Sequence, residues 1–271
     1  MPFATPLARL AAACTLALGA VAPALAADAF PSRPITVVIP FPPGGATDVL
    51  GRVIGQKLGD TLGQTVVVEN RAGAGTIIGA SYVAKAAPDG YTVLVSSGTT
   101  FTVNPAIRNN LPYDPVKSFD PIGIAGRTGL ILLANKDVPV QTVKQFVDYV
   151  KASPDKYAYG SFGSGTTAQF AGEIVLSATG LKMTHVPYKG SAPAMTDLMG
   201  GQIPFTVDTV SAAIPQLKSG KIKAIAVTTA KRSALLPDVP TMAENGYPDI
   251  NMDTWLCLLY TSDAADDSLR V

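Results

Sequence analysis

The stretch TVVIPFPPGGATDVLGRVIGQKLG, residues 36–59, decides how this chain is read. A β-branched apolar run gives way to Pro42-Pro43-Gly44-Gly45, and an amphipathic helical pattern begins at about Ala46. The first N–H groups of a helix have no partner within it. They lie at the positive end of a dipole worth about half a charge, and glycine removes the side chains that would hold a ligand away. Pro43, Gly44, Gly45, Ala46 and Thr47 therefore form a candidate anion loop. Asp48, in the first helical turn, is read two ways: as a carboxylate favoured there by the dipole alone, or as a ligand contact.

The device is repeated further on. YAYGSFGSGTTAQFAGEIVLSATG, residues 157–180, supplies a short strand, the loop Ser161, Phe162, Gly163, Ser164, Gly165, and a helix opened by Thr166 and Thr167. Two strand–glycine–helix units, one per lobe, can hold the two ends of a doubly anionic molecule, a clamp for a small dicarboxylate. Each loop alone is also what a tight turn requires. Polar loops after other strands add Ser97 and Thr99, Tyr188, and Asp208, at the ends where open α/β sheets hold ligands. Serine and threonine at such places also serve as helix caps. The single tryptophan, Trp255, reads as packing.

Outward from these loops, short β-branched runs alternate with helical patterns, which predicts an α/β protein with largely parallel sheets covered by helices. Strands are expected at 35–40, 65–69, 92–96, 122–125, 130–134, 157–160, 183–186, 203–207 and 222–228. Helices are expected at 46–62, 77–86, 143–152, 166–179, 192–199 and 212–219. A lobe boundary falls near Gly126, with a return crossing near residue 229, giving two α/β lobes that enclose a cleft. With 271 residues, 47% hydrophobic and 15% charged, the chain has enough apolar sequence for both.

The first 26 residues carry Arg9, an apolar run and Ala24-Leu25-Ala26, the pattern of a secretory signal peptide with a mature chain beginning at Ala27. Without Arg9 the 21 basic residues become 20 against 20 acidic ones, with no basic cluster, which argues against nucleic acid as a partner. Cys14 lies in the signal, so Cys257 stands alone; with one histidine, His185, no metal site is expected and no cofactor motif is present. No catalytic residue is assigned. SFGSG lacks the G-x-S-x-G spacing around Ser164, and neither dinucleotide nor P-loop motifs occur.

Five segments carry a resemblance: RPITVVIPFPPGGATDVLGRVIGQKL, VVVENRAGAGTIIGASYVAKAAPDGYTVL, LPYDPVKSFDPIG, HVPYKGSAPAMTDLMGGQI and LPDVPTMAENGYP. In this order, over about residues 30–255, the chain resembles the solute-binding receptors of tripartite tricarboxylate transporters. The resemblance implies a two-lobed type II periplasmic binding protein: residues 27–126 plus 229–255 as one lobe, 127–228 as the other, and a ligand cleft between them. It implies a periplasmic receptor that captures a small organic acid (a di- or tricarboxylate, an amino acid or an aromatic acid) and presents it to membrane permease subunits. Carried over by motif, Pro43 to Asp48 and Ser161 to Thr167 become the ligand loops, completed by the loops at 97–100, 188–190 and 208–209. An exported sensor subunit and a serine hydrolase using Ser164 are the alternative roles for the same chain. After NMDTW the family pattern continues with a proline-containing segment and long helices covering the first lobe, whereas here LCLLYTSDAADDSLRV follows. Residues 256–271 are thus expected to be an atypical, foreign tail that leaves apolar surface of the first lobe uncovered.

Overall fold

The computed structural model describes residues 30–262; the signal peptide expected at residues 1–26 lies outside them. Strand β1 (Ile35–Ile39) leads through the proline–glycine loop into helix α1 (Ala46–Leu62), followed by β2 (Val66–Asn70), α2 (Ile77–Ala84) and β3 (Thr92–Ser97). A π-helical turn over Thr99–Val103 and the short α3 (Asn104–Ile107) precede β4 (Phe119–Asn135). Next come α4 (Val143–Lys151), β5 (Ala158–Ser161), α5 (Thr167–Thr179), β6 (Thr184–Pro187), α6 (Ser191–Met199), β7 (Phe205–Thr209), α7 (Val210–Leu217) and β8 (Ile222–Val227). The last strand is β9 (Asp253–Thr261).

Two sheets share β4. In the first the order is β2-β1-β3-β9-β4; in the second β4 pairs with β7 and β8, and β7 continues to β5 and β6. The two strands expected on either side of Gly126 are one strand. Residues 119–129 of β4 pair with β9 and residues 130–135 with β7 and β8, so the partner changes between Gly129 and Leu130. Pro121, Gly123 and Gly126 read as breaks in the sequence. The ladder absorbs them as two register shifts against β9, which is where such residues are tolerated within a strand.

The expectation of largely parallel sheets needs correction. Pairs β1–β2, β1–β3, β5–β6 and β5–β7 are parallel, while β3–β9, β4–β9, β4–β7 and β4–β8 are antiparallel. The reason is the crossing. Each half keeps βαβ units with parallel strands, but the strands that carry the chain between halves enter against their neighbours' direction.

The tail expected from Leu256 begins inside β9. Leu256 pairs with Ser97 on one side and Gly126 on the other, and residues 256–261 lie inside the first sheet, between β3 and β4. Thr254, Leu256, Cys257, Leu259 and Thr261 are buried, so the strand is covered on both faces. A ladder is made by the backbone, so an apolar segment ending in Tyr260 and Thr261, both favoured in strands, fits the slot. Val49, Val53, Ile122 and Ile124 of this lobe are exposed.

The cores lie on both faces of each sheet. In the second, Phe146 and Val150 of α4 and Val175 of α5 pack with Phe205 on one face, and Met195 and Leu198 of α6 with Ile131 and Leu133 on the other. In the first, Ala80 and Val83 of α2 pack with Val38, Leu94, Phe119 and Leu259. At roughly 25 cal/mol per Å² of apolar area buried, these layers hold the strand ends, and thus the loops, in place.

Candidate functional site

Four helices begin at one inner cavity. Its wall includes Gly45, Ala46 and Thr47 at the start of α1, Thr167 at the start of α5, Ser191 at the start of α6 and Thr209 before α7. Gly45, Thr166 and Gly190, the residues preceding the first three helices, supply no side-chain cap bond. At the fourth, Thr209 accepts from the Ala212 N–H. The positive ends of four dipoles therefore meet where several first-turn N–H groups lack helical partners. Among the described residues, Asp208 is the only charged one lining the cavity. To an anion this wall offers peptide dipoles rather than lysine or arginine.

The loops interlock across this cavity. Gly190 has φ +106°, and a Cβ there would lie 3.0 Å from the Pro42 ring, so the position needs glycine both for its backbone and for its contact. The Thr99 hydroxyl accepts the Thr167 N–H at 3.1 Å, capping α5 from the other sheet. The inner cavity measures about 30 Å³, room for a water or two at about 10–15 Å³ each. A four-carbon acid does not fit this volume.

A second, larger cleft of about 700 Å³ adjoins it, sharing Phe41, Pro42, Phe162 and Gly190 with the inner cavity. Phe41 and Phe162 meet edge to face at 6.2 Å. Gly163, Ser164, Thr166 and Tyr188 border this outer cleft, together with Arg108 and Lys189. The Tyr188 hydroxyl donates to Asp197 at 2.8 Å; burial and that carboxylate push it up to about 12.

The site residues expected from sequence are thus distributed. Gly45, Ala46, Thr47, Ser97, Thr167 and Asp208 line the inner cavity. Gly163, Ser164, Thr166 and Tyr188 line the outer cleft. Gly44 borders a shallow groove beside α1. Pro43, Asp48, Thr99, Ser161 and Gly165 line none of these spaces. Asp48 is turned under its own loop: its carboxylate accepts from the Gly44 N–H at 3.0 Å, Asn70 Nδ2 at 2.8 Å and Arg52 Nε at 3.1 Å. Burial raises its pKa, but those hydrogen bonds and the Arg52 charge together hold it below the usual carboxylate value. It braces the glycine loop.

Ser161 is likewise internal. Its hydroxyl accepts the Gly163 N–H at 3.1 Å and lies 2.7 Å from His185 Nε2, so the one histidine pairs with Ser161 and not with Ser164. Burial pushes His185 down. The Gly165 N–H donates to Gln169 Oε1 at 2.7 Å, closing the loop onto its helix.

Sequence reading missed Phe41, Ser191, Thr254 and Leu256 as lining residues, while Phe162 and Thr209 lie within loops it named. Phe41 and Phe162 flank the proline and glycine runs, so their place was legible. Ser191 donates to Asp208 Oδ2 at 2.5 Å, and Asp208 Oδ1 accepts from the Thr209 N–H at 2.7 Å. Burial raises Asp208 to about 6. Thr254 arrives on the returning β9, for which no local signal stood in the sequence.

A family described as the tripartite tricarboxylate transporter family receptor matches residues 50–270. Protein BugT of Bordetella pertussis is 37% identical over 245 residues, covering 90% of this chain and 75% of BugT. The structure of the periplasmic binding protein BugD superposes with a TM-score of 0.82 at 39% identity, covering 86% of this chain and 78% of that one. MatC from Rhodopseudomonas palustris with bound malate superposes with a TM-score of 0.81 at 34% identity, covering 86% and 79%. The chain belongs to the tripartite tricarboxylate transporter receptor family.

Proposed function

We propose that this chain is an exported, periplasmic receptor that takes a small carboxylate-bearing solute between its two lobes and hands it to the permease subunits of a tripartite tricarboxylate transporter. The observation that carries the reading is the convergence of four helix starts on one cavity with no lysine or arginine in its lining. Such a site holds a carboxylate by backbone N–H groups and dipoles, firmly enough to capture it and without chemistry on it. The malate seen in MatC is a ligand of the expected class.

In this reading residues 27–126 plus 229–255 form one lobe and 127–228 the other, with the Gly44–Gly45 loop and the 161–167 loop as the two jaws. Asp48, Ser161 and Gly165 act through the loops they brace. Isothermal calorimetry of the purified chain against a panel of di- and tricarboxylates, amino acids and aromatic acids tests the proposal. One-to-one, saturable binding of at least one acid, with the acid recovered unchanged, is the expected result. A folded chain that bound none of them, or that turned over an ester, would overturn it.

A further inference from the structure

The inner cavity holds two polar groups that a plain carboxylate leaves unserved. Thr254, only 2% exposed, lines it, and its hydroxyl has no hydrogen-bond partner. Buried hydroxyls are nearly always paired, so an orphan at a cavity wall points to a partner carried in by a ligand. Asp208 is buried in the same wall and is its one charge. Its oxygens accept from Ser191 and Thr209, yet an ionised carboxylate accepts about four hydrogen bonds in all.

These two groups differ from the rest of the lining. The helix starts offer N–H donors, which suit a carboxylate. Asp208 offers only acceptors when ionised, and an unsubstituted dicarboxylate pushed against it sets anion against anion with no proton between. Thr254 both donates and accepts. The wall therefore matches a molecule that carries a carboxylate for the helix ends and a separate donor for the Asp208 and Thr254 side.

Resting on the receptor reading above, we infer that the solute is an acid bearing a hydrogen-bond donor, a hydroxyl or an ammonium, beside its carboxylate, and that Thr254 and Asp208 receive that donor. Thr254 is then a specificity residue. A site built to hydrogen-bond such a group rejects the analogue lacking it far more strongly than an apolar wall rejects a methylene.

The test is calorimetry of the full chain with matched acids: malate and aspartate each against succinate, and mandelate against phenylacetate. The expected result is that in at least one pair the donor-bearing acid binds about tenfold or more tightly than its partner. Thr254→Val, similar in shape, should shrink that advantage to about threefold or less, whereas Thr254→Ser should keep it. Asp208→Asn should shrink it too while leaving the donor-free acid bound as well or better, with circular dichroism confirming that each variant folds. The aspartate and malate arms separate an ammonium from a hydroxyl. Donor-free acids bound as tightly as their partners in every pair, or an advantage unchanged in both Thr254→Val and Asp208→Asn, would overturn the inference and leave the receptor reading standing. A folded chain that bound no acid at all would overturn both.

Discussion

Thr99, just past β3, caps Thr167 at the start of α5: a side chain of one sheet accepts the first helical N–H of the other at 3.1 Å. Where such a bond spans the cleft, it stabilises the approach of the lobes. Thr99→Val keeps the shape and removes the acceptor. A single hydrogen bond contributes about 0.5–1.5 kcal/mol. The variant should therefore bind its acid about threefold to tenfold more weakly and show a larger radius of gyration in solution scattering.

At Gly45 the relevant measure is contact. A Cβ there would lie 3.7 Å from the Ser191 Cβ, so the two methyls of valine reach into the seam between the jaws and over the N–H groups of α1. Gly45→Val should lower affinity by about tenfold or more, at least about 1.4 kcal/mol. Ser164 borders the outer cleft instead, and Ser164→Ala should stay within about threefold. Titration followed by the emission of Trp255, which stacks on Phe101 at 5.8 Å between the cavity-lining Thr254 and Leu256, reads both.

Asp48 predicts the opposite division. Its bonds run to Gly44, Asn70 and Arg52, none of them part of the inner cavity wall. Arg52 is half exposed, so solvent screens the ion pair. Asp48→Asn should cost on the order of 1 kcal/mol in denaturant unfolding through the lost charge-assisted bonds, with affinity changed by less than about threefold.

The carboxyl of Asp208 sets a pH dependence. Burial raises it to about 6 from 3.8, so the folded chain holds this proton more tightly than the unfolded one. Its contribution to stability is full below pH about 4 and is lost as pH rises through about 6. A shift of about two units corresponds to on the order of 3 kcal/mol. The depressed carboxyls of Asp48, Asp114 and Glu244 act with the opposite sign. The measurement is therefore a difference: relative to the native chain, Asp208→Asn should gain stability between pH 4 and 7 in thermal scans, and the gap should level off above that.

Much of this architecture is written locally. Residues 36–59 read as strand, loop and helix, and β1 and α1 follow that reading with the helix spanning Ala46–Leu62. Local signals suffice there, because proline and glycine punctuate the chain at a real change of backbone geometry. The same punctuation misleads in β4, where Pro121, Gly123 and Gly126 sit inside one strand held by its neighbour β9. Strand direction was equally hidden, since it depends on which distant segment fills the next slot. In the site, the glycine loops were legible as donors of N–H groups. Of the wall opposite them only Asp208 was legible, because Ser191 and Thr254 come from other elements and meet it only in the folded chain.

β4 passes without interruption from one sheet to the other, and Thr228 pins the return path beside it, its hydroxyl donating to Leu130 O at 3.2 Å and to Met252 O at 2.7 Å. A ribbon fixed in this way has no slack to pay out; it can only wind. In the receptor proposed above, parting the jaws would be a torsion centred on Gly129 and Leu130, where β4 changes partners, small near the axis and amplified with distance from it. Release then becomes a matter of angle, and stiffening four or five backbone bonds far from any ligand atom should slow it.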